Sequence, residues 1–160
     1  MKKRLQRLIR RAESGVTLSI QSIYYIFILF LFFALTYDFG NVAYTASAGR
    51  AAAYKAAYTA AANSLDWSVF IPNQEVRRNE DGARQGALAS VLDAADEGMP
   101  LIYDVEAPIL RSVGPTDLAV VKGKVDARTP LLGYLFGINV ITINVVGVAD
   151  APFGASVEGQ

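Results

Sequence analysis

The sequence predicts an α+β protein in which a long N-terminal helix, part transmembrane and part extracytoplasmic, carries a small antiparallel sheet domain. Three observations predict it. No charged side chain lies between Glu13 and Asp38, which leaves 24 uncharged residues, Ser14 to Tyr37. An Ala-rich, proline-free stretch then runs on to Asn63. Beyond Pro100 the pattern changes to β-branched alternation.

The first segment is basic. Residues 1–15 hold Lys2, Lys3, Arg4, Arg7, Arg10 and Arg11 against Glu13 alone, a net of +5, so residues 16–160 carry −5 and the whole chain is neutral. A basic head before an apolar run and an acidic body suits opposite sides of a membrane, with the head in the cytoplasm. It does not suit nucleic acid as a partner; anionic lipid at the inner surface fits the head better.

The apolar run follows. Ile23 to Leu35 is continuously apolar or aromatic, and about 20 such residues cross the roughly 30 Å of hydrocarbon. A cleaved secretory signal is the rival reading, but its candidate small-residue site, Ala46-Ser47-Ala48, lies well past the apolar run. A buried core helix is excluded because no other element could cover so apolar a cylinder. Gln21, with Ser19 and Ser22, forms the polar cluster near the start of the span, either a helix contact or a headgroup-level position.

From Asp38 the helix is expected to continue, since Ala is the strongest helix former and no proline intervenes before Pro72. A helix from about Thr17 to Leu65 would be roughly 70 Å long. Gly40, Tyr44, Gly49, Ala52 and Ala56, with Gln21, are the candidate helix-packing residues, because small side chains allow close approach. One face of this half is expected to pack on the protein's own domain and another to meet partner helices.

The outer domain is expected to begin after residue 66. Pro72 to Gly82 reads as a polar loop, and Ala83 to Glu97 as a short helix with Leu88, Val91, Leu92 and Ala95 on one side and Gly98 as its stop. Leu101 to Glu106 reads as a short strand ended by Pro108, followed by strands Leu118 to Ala127 and Ile138 to Ala149, the last two paired antiparallel. Their connection, Arg128 to Gly137, is unusually apolar for a loop. Leu131, Leu132, Tyr134, Leu135 and Phe136 are therefore candidates for a partner or membrane contact. The boundaries are 1–15 basic segment, 16–37 membrane helix, 38–66 its continuation, 67–151 outer domain and 152–160 flexible tail.

Catalytic chemistry has little to draw on. With neither His nor Cys, the chain lacks the commonest general base and metal ligand, and also disulfides and thiolate sites. Asp93, Asp96 and Glu97, and the pair Asp104 and Glu106, read as solvated acidic faces; no spacing fits a calcium loop or a phosphate-binding Gly motif. No enzyme activity, catalytic residue, metal or cofactor is expected.

The basic start, Gly15, the apolar span, Tyr37-Asp38-Phe39-Gly40, Tyr44 and the pairs Ala51-Ala52 and Ala56-Ala57 resemble TadE-like proteins, minor pilins or pseudopilins of bacterial tight-adherence (Flp-type) pilus systems. Pro130-Leu131-Leu132, a Gly and a closing strand are similar as well. The resemblance implies a pilin-like fold in the inner membrane, other pilus or pseudopilin subunits as partners, and a prepilin-peptidase site between Gly15 and Val16. It departs from the family at Ile20, where a Glu is usual, and in having no Pro between Gly15 and Pro72. The rival expectation is a membrane-tethered binding or sensor domain with the long helix as a stalk.

Overall fold

The computed structural model describes residues 2–66, 68, 72, 78–113 and 116–150, with the backbone alone at 2–18, 111–113 and 116–117. The element order is α1 (Lys2–Asn63), α2 (Glu80–Asp96), β1 (Ile109–Val113), β2 (Thr116–Arg128), α3 (Pro130–Phe136) and β3 (Val140–Asp150). The fold is α+β, a long N-terminal helix with a small antiparallel sheet.

α1 is a single helix of 62 residues, about 93 Å long, and it begins some fifteen residues before the expected start. The basic segment is helical because Lys, Arg, Leu and Gln are all good helix formers. Ile20 to Phe39 presents large apolar side chains outward, among them Tyr25, Leu29 and Phe32. Among the described residues it is the one helix long and apolar enough to cross a membrane.

The second half of α1 is the spine of the domain. Ala52, Ala53, Ala56, Ala57, Ala60 and Ala61 recur at three- and four-residue spacing and are wholly buried or nearly so. They share a core with the inner face of the sheet, where Ala119, Val121 and Val125 alternate along β2 and Val145 and Ala149 along β3. Small residues bring the two layers unusually close. A Cβ at Gly147 would collide with the Ala53 carbonyl group, so β3 touches the helix backbone itself. α1 thus supplies six of the sixteen buried residues of the core it shares with the outer domain.

The sheet order is β1-β2-β3, antiparallel throughout, with Val125 opposite Ile143 and Arg128 opposite Val140. β2 and β3 lie where the alternation placed them. The expected strand at Leu101 to Glu106 does not form. Tyr103 exchanges two backbone hydrogen bonds with Lys124, and Glu106 N–H donates to the Lys122 carbonyl, but Asp104 between them has φ 52°. That left-handed residue breaks the ladder, as a bulge does, and the regular strand β1 starts only beyond Pro108.

α2 is capped by Asn79, whose Oδ1 accepts from Gly82 N–H at 2.9 Å, and Glu80 and Asp81 complement the dipole in its first turn. The helix thus takes in the last residues of the expected loop. Its buried face is Ala83, Gly86, Ala87, Ser90, Val91 and Ala94, whereas Leu88 and Leu92 are exposed. Of the expected apolar side, Val91 is buried and Ala95 half-buried, while the two leucines turn outward because closeness to α1 selects small residues over bulky ones. Lys55 on α1 and Glu97 at the end of α2 close the contact with an exposed two-oxygen ion pair at 2.8 and 2.9 Å. Residues 73–77 of the expected loop and the tail 152–160 lie outside the described residues.

Candidate functional site

The connection between β2 and β3 is a short helix, α3, and not a loop. Pro130 occupies its first position, where a missing N–H costs nothing, and Gly137 ends it at φ 76°, donating to the Gly133 carbonyl. Thr129, at the N-cap position and fully buried, makes no cap bond. Its Oγ1 donates to the Ile138 carbonyl at 2.6 Å, and its N–H to the Asn139 carbonyl at 3.0 Å. This closes a hairpin from Arg128 to Asn139.

The cap comes from α1 instead. Asp38, with no exposed surface, places Oδ2 2.6 Å from Leu132 N–H, the third residue of α3. It does across 94 positions what an N-cap carboxylate does locally. Beside it, Asn41 Nδ2 donates to the Arg128 carbonyl at 2.5 Å. Asp38 Oδ1 is buried and has no hydrogen-bond partner among the described residues. The apolar hairpin is therefore pinned to α1 at the residue that ends the uncharged run.

Of the candidate partner residues, Tyr134 and Phe136 are exposed, Tyr134 at 86%, while Leu131, Leu132 and Leu135 are half-buried. Ile138 and Val140, not singled out from the sequence, extend the exposed patch. No charged side chain occurs between Arg128 and Asp150.

The candidate helix-packing residues divide into two groups. Gly49, Ala52 and Ala56 point inward, with Gly49 against Val125 and Val145, so the protein's own core occupies these three positions and no partner helix can use them. A Cβ added at Gly40 would meet nothing within 4 Å, and Tyr44 is exposed. Gln21 is exposed as well. Gly15 and Val16 lie within the helical backbone of α1.

On the side of α1 opposite the sheet, Phe30, Phe33, Tyr37, Tyr44, Tyr54 and Tyr58 fall in one stripe at helical spacing, all exposed. Small residues, Gly40, Ala51 and Ala62, lie beside them. This aromatic and small-residue face runs from the apolar segment to Tyr58, with Lys55, paired to Glu97, at its edge. The sequence signal for it was the spacing of Tyr44, Tyr54 and Tyr58; what it lacked was knowledge of which side the sheet would take.

Of the acidic groups, Asp93, Asp96 and Glu97 lie at the end of α2, whereas Asp104, Glu106 and Asp126 sit in exposed contacts on the outer face of the sheet. Lys124 Nζ meets Asp104 Oδ2 at 2.6 Å and Lys122 Nζ meets Glu106 Oε2 at 3.4 Å. The hydrogen bond and charge of Asp104 raise the Lys124 pKa. Asp126 accepts from Tyr103 Oη at 2.7 Å and Thr142 Oγ1 at 2.8 Å, and these bonds hold its pKa below the usual carboxylate value. The pairs fasten residues 103–106 to β2. Among the described residues, no three carboxylates converge on a point that could hold a metal ion. Compared with models of known families, with curated proteins and with solved structures, the chain matches none.

Proposed function

We propose that this protein is a structural subunit anchored in a bacterial inner membrane, a TadE-like minor pilin or pseudopilin serving pilus assembly or secretion. The basic head lies in the cytoplasm and the sheet domain outside. The observation that carries the reading is the division of α1 into two faces. One is consumed by the protein's own core, and the other, aromatic and small, continues from the apolar segment to Tyr58 with no cover from the described residues. A face of that kind packs on helices of neighbouring subunits, and a head-to-tail contact of this sort propagates into a filament or ends one. The fold is read as pilin-like on the same ground: an exposed helix spine with a sheet wrapped on its outer half. The role is read as non-enzymatic: Glu97, Asp104 and Glu106 pair with lysines, and Asp126 accepts from Tyr103 and Thr142. Prepilin peptidase would cut between Gly15 and Val16, with Ile20 where a Glu is usual.

Mass spectrometry of the protein from membranes and from sheared pili tests this. A chain starting at Val16 with pilin subunits alongside supports it. An intact Met1 terminus found only in membranes, with no pilus subunit attached, contradicts it and favours a tethered accessory or sensor protein. Gly40→Leu should also weaken assembly and leave the domain folded. Ala56→Leu cannot serve the same test, because Ala56 is core.

A further inference from the structure

We infer that the hairpin Arg128 to Asn139 is a membrane foot: Tyr134, Phe136 and Ile138 enter the headgroup region of the outer leaflet beside the point where α1 leaves the bilayer. The inference rests on the reading that α1 crosses the membrane, and adds a second lipid contact made by the folded domain.

Two independent measures put the hairpin at that height. The first is direct, the Asp38–Leu132 hydrogen bond of 2.6 Å. The second comes from the register. Gly147 abuts Ala53 and Tyr54. From Gly147 back to Val140 is about 23 Å along a strand, and from Ala53 back to Asp38 is about 22 Å along a helix. Val140 and α3 therefore arrive level with Asp38. The uncharged run Ser14 to Tyr37 is about 36 Å long, and the hydrocarbon core about 30 Å. Asp38 thus lies within a few ångströms of the outer boundary of the hydrocarbon, and the hairpin shares that level.

The chemistry of the patch fits this depth. Tyr and Phe with aliphatic neighbours, and no charge from Thr129 to Ala149, match an interfacial element that buries an apolar face about 5–10 Å into the headgroup boundary. Tyrosine is enriched at this level because its ring is apolar and its hydroxyl wet. The patch is also continuous with the membrane surface of α1, where Tyr37 and Phe39 are exposed on either side of Asp38. On the face that carries Asp38, Ala34 one turn below is fully buried, so the covered strip of α1 extends into the apolar segment. An aqueous partner docking there would have to share the patch with the lipid it adjoins.

Single-tryptophan variants of the full chain in phospholipid vesicles test the foot. With Trp67→Phe as background, Tyr134→Trp probes the hairpin, Phe30→Trp the span and Tyr58→Trp a site on α1 about 30 Å beyond Asp38. The expected result is blue-shifted Tyr134→Trp emission, quenched several-fold more than Tyr58→Trp by lipids brominated near the carbonyl end of their chains. Phe136→Trp should repeat it if Tyr134→Trp misfolds. If Phe30→Trp is quenched by bromolipid but the hairpin tryptophan is quenched by aqueous iodide like Tyr58→Trp, the foot is overturned and the span stands. A hairpin tryptophan shielded from both quenchers means a protein partner covers the patch, which also overturns it. If Phe30→Trp itself escapes bromolipid, the membrane-crossing reading fails and takes the foot with it.

Discussion

Adding one methyl group at Gly147 should open the domain where β3 meets α1. The new Cβ would overlap the carbonyl oxygen and carbon of Ala53 and lie 2.6 Å from Tyr54 N. All three are backbone atoms of a helix that cannot swing aside as a side chain can. Carbon contacts are comfortable at about 3.5–4.0 Å, so strand and helix must part by roughly 1 Å or more. A gap of even 0.5–1 Å forfeits about a quarter to a half of each neighbouring contact, and Ala53, Ala56, Ala57, Val145 and Ala149 are all in this core. Overpacking costs about 1–3 kcal/mol where side chains can adjust; against backbone the upper figure is expected. About 3 kcal/mol is a hundredfold in the folding equilibrium, since about 1.4 kcal/mol is tenfold. The same change at Gly40, with nothing within 4 Å, should stabilise α1 by about 0.5–1 kcal/mol. Hydrogen exchange followed by mass spectrometry on the detergent-solubilised protein reads both. Gly147→Ala should accelerate exchange in Val140–Asp150 by about a hundredfold, and Gly40→Ala should not. Wild-type exchange in Gly147→Ala would refute the close-approach argument.

Asp38→Ala leaves Leu132 N–H without its acceptor and should cost about 1–2 kcal/mol, read as faster proteolysis within residues 129–139 while the rest of the sheet stays protected. Asp126 has a folded pKa below its ordinary 3.8, so its contribution is complete above that value and is lost as pH falls through the folded pKa. Between pH 5 and pH 2 the urea midpoint of the wild type should therefore fall more steeply than that of Asp126→Asn; parallel curves would show that the two hydroxyl bonds do not form. Lys55→Ala breaks an ion pair whose side chains are 40% and 56% exposed, and should shift stability by less than about 1 kcal/mol. A larger loss in an unfolding titration would mean the pair is shielded in the assembled protein.

What the sequence disclosed follows from how local each signal is. The course of α1 was legible because an apolar run crossing hydrocarbon must satisfy its backbone as a helix, the Ala run is a strong helix former, and no proline interrupts them. β2 and β3 were legible from Val121, Val125 and Val145, whose alternation survives because only one face is buried. The side of α2 was legible only in part, since its burial is decided by how near α1 stands, and Ala87 and Gly86 carry no hydrophobic signal of their own. The break at Asp104 depends on one backbone angle. β1 is five residues with Arg111 and Ser112 within it, too short and polar to declare itself. α3 was hidden by its own punctuation, for Thr129-Pro130 and Gly137 read as turn residues although Pro at the first position and Gly just past the end also bound a helix.

For the candidate site, the apolar residues of the hairpin were visible as composition, but not Asp38, the residue that fixes their height. A lone carboxylate between Tyr37 and Phe39 straight after an apolar run gave the available hint, and its partner lies 94 positions away. The small-residue stripe was legible as a packing surface, yet a stripe cannot say whether its complement is the same chain or another. The protein's own core answered that for Gly49, Ala52 and Ala56, and left Gly40 and the tyrosines outward.

The central claim is that this outward face meets helices of other subunits. A photo-crosslinking benzoyl-phenylalanine placed in turn at Tyr44, Tyr54 and Tyr58, in native membranes with assembled pili, tests it directly, with exposed Thr142 on the sheet as the comparison. The account predicts adducts to another pilus or pseudopilin subunit from all three helix positions and far fewer from Thr142. Pili that assemble normally while none of the three positions yields an intermolecular adduct would contradict it.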